Sequence, residues 1–109
     1  MLALVTVVVL AGCAAEATTA SSPVATTTVD LPKSYKFVPA RITVPAGSTV
    51  TWTNNDDFTH NVALPDGPEP LTMAPGSSVT YTFLTAGTFP YVCSLHPKDM
   101  KGSVVVTDT

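Results

Sequence analysis

Four side chains of the types that bind soft metal ions stand out in the sequence. Cys93, His96 and Met100 lie within eight residues of one another, and His60 lies well upstream of them. Thiolate and thioether sulfur suit Cu(I), while imidazole nitrogen suits both oxidation states of copper. Two histidines, one cysteine and a weakly bound methionine form a ligand set in which copper exchanges single electrons with little change of geometry. These residue types therefore predict a site for one copper ion.

Each of these residues has a simpler explanation when it is taken alone. A lone cysteine is most often a buried, inert thiol, and methionine often fills gaps in a core. Met73 is a second candidate for the axial ligand, and Asp99 could complete a zinc site, although thioether is an unusual ligand for zinc. His60 and His96 are, however, the only histidines in the sequence, and a site with two imidazole ligands would use both of them.

Short strands must bring these side chains together, because no window of the sequence shows apolar residues at helical spacing. Val and Thr are frequent, ten prolines are present and charged residues are few, which favours strands and turns. Pro, Gly and Asn-Asp turns separate the predicted strands, which are residues 41–44, 49–53, 60–64, 78–84, 87–93 and 102–107. Short strands at regular spacing predict an all-β fold, an antiparallel sandwich or barrel.

Alternation along the strands indicates which candidate ligands face the core. Cys93 has the same parity as Phe89 and Tyr91, and His60 has the same parity as Val62. Side chains of equal parity share one face of a strand. If the aromatic and aliphatic members face inward, Cys93 and His60 also face inward, at the ends of their strands. A sulfur and an imidazole are thus predicted to meet at one end of the core.

Residues 1–13 are predicted to be an export signal outside the fold. Residues 2–11 form an apolar run that only Thr6 interrupts, and this run is too short to span a bilayer. The run ends in Leu-Ala-Gly-Cys, which resembles the cleavage box of bacterial lipoprotein signals and implies a diacylglycerol anchor on Cys13. The alternative is an ordinary apolar leader with a chance cysteine. No Lys or Arg precedes the run, so Met1 is expected to lie downstream of the natural start.

Residues 14–28 are predicted to be a flexible tether and residues 29–109 the folded domain. The tether is rich in Ala, Thr and Ser, and such a segment cannot bury enough apolar surface to offset its ordering entropy. Cys93 could otherwise pair with Cys13, since exported chains often form disulfides, but a lipid on Cys13 removes that option. The protein is predicted to be a lipid-anchored monomer in the periplasm or on the outer face of the cytoplasmic membrane.

The charge pattern excludes some functions. The net charge is −3, and the five Lys and Arg residues form no cluster, so nucleic acid is not an expected partner. Asp56, Asp57, Asp66 and Glu69 are expected to form a solvated face, with a steering patch for a basic partner as the alternative. No Ser-His-Asp or paired-carboxylate arrangement is present, and two histidines cannot build a second copper centre. Catalysis by the isolated chain is therefore not expected.

The sequence resembles the cupredoxins, above all the small plastocyanin, amicyanin and pseudoazurin types. The resemblance covers nearly all of residues 29–107 and rests on Val-Thr-Trp-Thr-Asn at 50–54, His-Asn-Val at 60–62, Tyr-Val-Cys-Ser-Leu-His-Pro at 91–97 and Met-Lys-Gly at 100–102. It implies a Greek-key β-sandwich of about eight strands. It also implies one type-1 copper ion, with four ligands: His60, Cys93, His96 and Met100.

The resemblance also implies roles for residues beside the ligands. Asn61 matches an asparagine that ties the two ligand-bearing segments together, with its side chain bonded near Ser94 and its backbone N–H directed at the Cys93 sulfur. The ring edge of His96 is implied to be the electron port. The apolar residues expected around that port are Leu95, Pro97 and Pro65. Three residues separate His96 from Met100, whereas the small cupredoxins that the sequence resembles have two or four.

Two functions remain open at this point. The favoured hypothesis is a blue-copper protein that carries single electrons between exported or membrane redox partner proteins. The second hypothesis is a copper-binding or copper-delivery lipoprotein, in which the same ligands release Cu(I) to an acceptor.

Overall fold

The computed structural model describes residues 22–108. The predictions for the export signal, for lipid attachment at Cys13 and for most of the tether lie outside the described residues. Within residues 22–108 there is no helix that is long and apolar enough to cross a membrane. The strands of this part of the chain are β1 (Val24–Ala25), β2 (Thr28–Leu31), β3 (Arg41–Pro45), β4 (Ser48–Asn54), β5 (His60–Val62), β6 (Leu71–Met73), β7 (Ser78–Phe83), β8 (Gly87–Val92) and β9 (Lys101–Thr107).

The strands form two main sheets and a short ladder. One sheet has the order β1-β3-β9-β8, the second has the order β2-β4-β7, and β5 pairs with β6. The all-β prediction is confirmed, but the sheets are mixed, because β1–β3, β2–β4 and β3–β9 are parallel pairs. From β1 to β4 the chain alternates between the two sheets, so strands that become neighbours within a sheet run in the same direction.

One hydrophobic core lies between the two sheets. Alternate residues of each strand face it, as the period-2 pattern predicts. The strand residues with the least exposed side chains include Val29, Leu31, Ile42, Val44, Val50, Trp52, Val104 and Val106. Full burial of such a side chain contributes about 1.5–3 kcal/mol. This core supplies the rigid frame on which the candidate ligands stand.

The paired strands begin before residue 29. Val24 and Ala25 pair in parallel with Ile42 and Thr43 of β3, and Thr28 pairs with Thr51. The last part of the segment that the sequence assigned to the tether therefore belongs to the sandwich. Its exposed Val, Ala and Thr side chains gave no signal of this, since the segment is held by backbone pairing and not by burial.

Candidate metal centre

Strands β5, β8 and β9 bring the predicted ligands to one end of the sandwich. His60 begins β5, Cys93 directly follows β8, and Met100 directly precedes β9. A backbone bridge aligns β5 with the end of β8: the Ala63 N–H donates to the Val92 oxygen at 2.8 Å, and the Val92 N–H donates to the Ala63 oxygen at 3.3 Å. This bridge places the start of β5 beside the connection between β8 and β9.

That connection, the ligand loop of residues 93–100, is short and closed by its own backbone. The Cys93 N–H donates to the Met100 oxygen at 3.0 Å, which joins the two ends of the loop. Inside it, the His96 N–H donates to the Cys93 oxygen at 3.0 Å and the Met100 N–H donates to the His96 oxygen at 3.0 Å. The second bond closes a five-residue turn, so the spacing from His96 to Met100 fits a defined local geometry.

The side chains of His60 and Cys93 are adjacent and fully buried. Nδ1 of His60 lies 3.9 Å from Sγ of Cys93, and both residues are 0 % exposed. A metal ion about 2.3 Å from a thiolate and about 2.0 Å from an imidazole would hold these two donor atoms about 3.7 Å apart at an angle of about 120°. The observed separation therefore fits two ligands of one metal ion.

The other two predicted ligands lie beside this pair. The ring centroid of His96 is 5.5 Å from that of His60, and Met100 is 0 % exposed. Within residues 22–108, no three His, Cys, Asp or Glu side chains form a metal-binding group on their own. The fit to a metal thus depends on the His60–Cys93 pair, and the chemistry of the whole donor set, with its thiolate and thioether, suits copper.

Met73 and Asp99, the alternative ligands, occupy different surroundings. Met73 pairs with His60 across β5 and β6 and is fully buried, so it lies on the same face of the ladder as His60. Asp99 is exposed, and its backbone N–H donates to the His96 oxygen. Met73 therefore remains a rival for the axial position, whereas the exposure of Asp99 disfavours a buried zinc site.

Asn61 makes the contacts that the resemblance implied. Its backbone N–H lies 3.4 Å from Sγ of Cys93, and its Nδ2 donates to Oγ of Ser94 at 2.8 Å. The Ser94 N–H in turn donates to Oδ1 of Asn61 at 2.8 Å. These bonds hold the start of β5 against the ligand loop.

Asp56 contacts the opposite side of the His60 ring, which the sequence analysis missed. Its Oδ2 lies 2.8 Å from Nε2 of His60, and Asp56 is only 5 % exposed. The hydrogen bond with His60 holds the pKa of Asp56 below its ordinary value, against the opposing effect of burial. The expectation of a solvated face is wrong for Asp56, although Asp57, Asp66 and Glu69 are exposed.

Two aromatic residues outside the predicted set also approach the site. The ring centroid of Tyr35 lies 4.7 Å from that of His96 and 5.7 Å from that of His60, and Tyr35 stacks on Phe58 at 5.9 Å. Tyr35, Phe58 and Leu95 are 38 %, 56 % and 53 % exposed, while His96 is half-buried. An apolar surface thus surrounds His96.

The remaining predicted port residues differ in their positions. Pro97 is exposed in the ligand loop beside His96. Pro65 is also exposed, and it lines a cleft of about 240 Å³ together with Tyr81 and Phe89. The ligand loop contributes no residue to the lining of that cleft.

Comparisons with known proteins point to one family. The sequence profile of the cupredoxin-like domain family matches residues 2–106. The chain is 40 % identical over 83 residues to plastocyanin of Scenedesmus fuscus, covering 64 % of this chain and 85 % of that one. It is 40 % identical over 91 residues to amicyanin-alpha of Methylorubrum extorquens, covering 78 % and 75 % of the two chains. A purple cupredoxin from Nitrosopumilus maritimus superposes with a TM-score of 0.67 and 26 % identity, over 75 % of this chain and 100 % of that one.

Proposed function

The chain belongs to the cupredoxin family, and from this premise we propose that it is a blue-copper protein that carries single electrons. The proposed ligands of its one copper ion are His60, Cys93, His96 and Met100. One observation above all carries the proposal: the buried donor atoms Nδ1 of His60 and Sγ of Cys93 lie 3.9 Å apart. This separation matches that of two donor atoms bound to one metal ion.

The bound copper would supply a one-electron couple, Cu(I)/Cu(II). The chain's own residues hold the donors in place. The hydrogen bond from the Cys93 N–H to the Met100 oxygen closes the ligand loop. The hydrogen bonds between Asn61 and Ser94 fix β5 to this loop. Donors held in this way have little freedom to rearrange when the charge of the metal changes, so little reorganisation opposes electron transfer.

Electrons are proposed to enter and leave through His96. Its ring is half-buried, and the exposed apolar side chains of Tyr35, Phe58 and Leu95 provide a small apolar surface there. Such a surface suits the brief, weak encounters of small redox proteins. The residues proposed for this port are Leu95, Pro97 and Pro65 from the family resemblance, with Tyr35 and Phe58 added by the ring contacts.

The proposed partners are redox proteins outside the cytoplasm, which the protein meets as a lipid-anchored monomer. The apolar run at residues 2–11 and the Leu-Ala-Gly-Cys ending support export and lipid attachment at Cys13. Metabolic labelling with a radioactive fatty acid tests the anchor, with Cys13→Ser as the control. Equal labelling of both proteins, or of neither, contradicts the anchor. We propose no catalytic role and no nucleic-acid partner.

Electrochemistry of the copper-loaded protein tests the proposed function. An electron carrier gives a reversible one-electron wave, and Cys93→Ser protein loses it. A chelator competition distinguishes the second function, copper delivery. The burial of His60, Cys93 and Met100 predicts that Cu(I) stays bound while the protein cycles. Release of Cu(I) to the chelator faster than electron exchange would instead favour delivery.

A further inference from the structure

Asp56 and His60 form a buried pair behind the candidate copper site. Nε2 of His60 lies 2.8 Å from Oδ2 of Asp56, and the two side chains are 0 % and 4 % exposed. The other ring nitrogen, Nδ1, lies 3.9 Å from Sγ of Cys93. The two nitrogens of one imidazole therefore face two different groups, a carboxylate on one side and the thiol on the other.

This arrangement selects one tautomer of His60. A neutral imidazole carries a single N–H, and an ionised carboxylate only accepts hydrogen bonds. In the neutral ring, a proton on Nε2 is donated to Asp56 and leaves the lone pair of Nδ1 pointing towards Cys93, so these contacts favour that tautomer. A histidine that binds metal through one nitrogen generally donates its other N–H to a carboxylate, carbonyl or water.

The carboxylate of Asp56 is itself held in place. Its backbone N–H donates to Oδ1 of the buried Asn54 at 2.9 Å, and its Oδ1 accepts the Asp57 N–H at 2.6 Å. Asn54 uses its Nδ2 to bond the backbone oxygens of Phe58 at 2.8 Å and Met73 at 3.0 Å. Asn54 thus connects β4, the loop that carries Asp56 and the strand opposite His60. A carboxylate fixed in this way is expected to keep its orientation towards the His60 ring with or without bound metal.

We propose that Asp56 is a positioning residue of the copper site, which sets the tautomer of His60 and lowers the reduction potential. The inference deepens the proposed function and rests on it. A buried negative charge hydrogen-bonded to a ligand ring stabilises Cu(II) more than Cu(I), because the ion with the higher charge gains more from it. Solvent screens this effect weakly, since both side chains are buried.

Two substitutions in the same loop provide the test. Asp56→Asn removes the charge and keeps Oδ1, which can still accept the Asp57 N–H. The matched control is Asp57→Asn, which removes the same charge one residue away. The Asp57 side chain is 70 % exposed and lies 3.5 Å from Lys33, so this control reports the effect of net charge without the contact to His60.

The first measurement is nitrogen NMR of His60 in the metal-free full-length protein. Wild type and Asp57→Asn are expected to carry the ring proton on Nε2, and Asp56→Asn is expected to populate the Nδ1–H form as well. Wild-type protein with the proton on Nδ1, or an unchanged tautomer in Asp56→Asn, would overturn the inference. This readout needs no copper, so it stays decisive even if the electron-transfer proposal fails.

The second measurement is copper binding in both oxidation states. Asp56→Asn is expected to lose about tenfold in Cu(II) affinity, the lower end of what such neighbours of ligands contribute, and to lose less for Cu(I). Because a tenfold change in the ratio of the two affinities corresponds to about 59 mV for one electron, the potential is expected to rise by up to about 59 mV. Equal potentials of Asp56→Asn and Asp57→Asn would contradict the role of the contact. A wild type without a thiolate-to-copper band would instead contradict the proposed function.

Discussion

Asn61 and Ser94 are joined by two reciprocal hydrogen bonds, each 2.8 Å long. The side-chain Nδ2 of Asn61 donates to Oγ of Ser94, and the backbone N–H of Ser94 donates to Oδ1 of Asn61. Asn61 directly follows His60 in β5, and Ser94 directly follows Cys93 in the ligand loop. The pair therefore fixes two candidate ligands relative to each other through protein contacts alone, independently of a metal.

Asn61→Ala should lower the free energy of unfolding of the metal-free protein by about 2–3 kcal/mol, since two hydrogen bonds are lost and the Ser94 N–H is left without its partner. Urea unfolding measures this change. Thr72→Ala is the control, because Thr72 lies opposite Asn61 on β6 and is exposed. It should change stability by less than about 0.5 kcal/mol. Equal effects of both substitutions would show that the reciprocal bonds add no stability.

Gly102→Ala should also destabilise the fold, because there is no room for a side chain at this position. A Cβ there would lie 2.5 Å from Cζ and Oη of Tyr91 and 2.9 Å from the backbone oxygen of Ala40. Overpacking of this kind costs about 1–3 kcal/mol. The neighbouring substitution Ser103→Ala, which removes atoms, serves as the control in the same urea experiment. Wild-type stability of Gly102→Ala would mean that Tyr91 has space to move.

Tyr91 should make the free energy of unfolding depend on pH in the alkaline range. Burial raises the pKa of its hydroxyl from 10.0 to about 12, against a smaller lowering by the neighbouring Trp52, and among residues 22–108 no group meets this hydroxyl in hydrogen-bonding geometry. The unfolded chain loses the proton first, so the contribution of Tyr91 is complete below pH 10 and is lost as the pH rises towards 12. The loss is about 3 kcal/mol for a shift of two units.

Tyr91→Phe isolates this effect from the titration of other groups. The variant should be as stable as wild type or more stable at neutral pH, because no hydrogen bond is lost. It should lose less stability than wild type when urea unfolding is repeated between pH 9 and 11. Parallel pH curves for the two proteins would contradict the raised pKa.

Met100→Leu should raise the reduction potential while the protein keeps its colour. The thioether donates weakly to Cu(II), and an apolar side chain in its place favours Cu(I). A tenfold change in relative affinity corresponds to about 59 mV. Met73→Leu is the matched control, because Met73 is equally buried and pairs with His60. A shift in Met73→Leu alone would assign the axial position to Met73.

The sequence predicted the features that depend on local pattern. Period-2 alternation correctly turned His60 and Cys93 towards the core, because strands impose this alternation wherever one face is buried. The contacts of Asn61 with Ser94 followed from the family resemblance, which carries information on pairs that are distant in sequence.

Features that depend on tertiary packing were missed. Tyr35 and Phe58 come from separate loops, and no spacing rule places their rings beside His96. Asp56 was assigned to a solvated surface because carboxylates are seldom buried unless they are paired, and its partner became visible only with the fold. The parallel pairing of β1 with β3 depends on how the chain crosses between the sheets, which local turn signals do not encode.

The visible and EPR spectra of the protein after addition of one equivalent of Cu(II) test the central claim most directly. The account predicts an intense thiolate-to-copper band with narrow parallel hyperfine splitting, and the loss of both in Cys93→Ser protein. A pale spectrum with ordinary tetragonal Cu(II) features would show that His60, Cys93, His96 and Met100 do not bind one copper ion. That result would leave the β-sandwich intact and contradict the assignment of electron transfer.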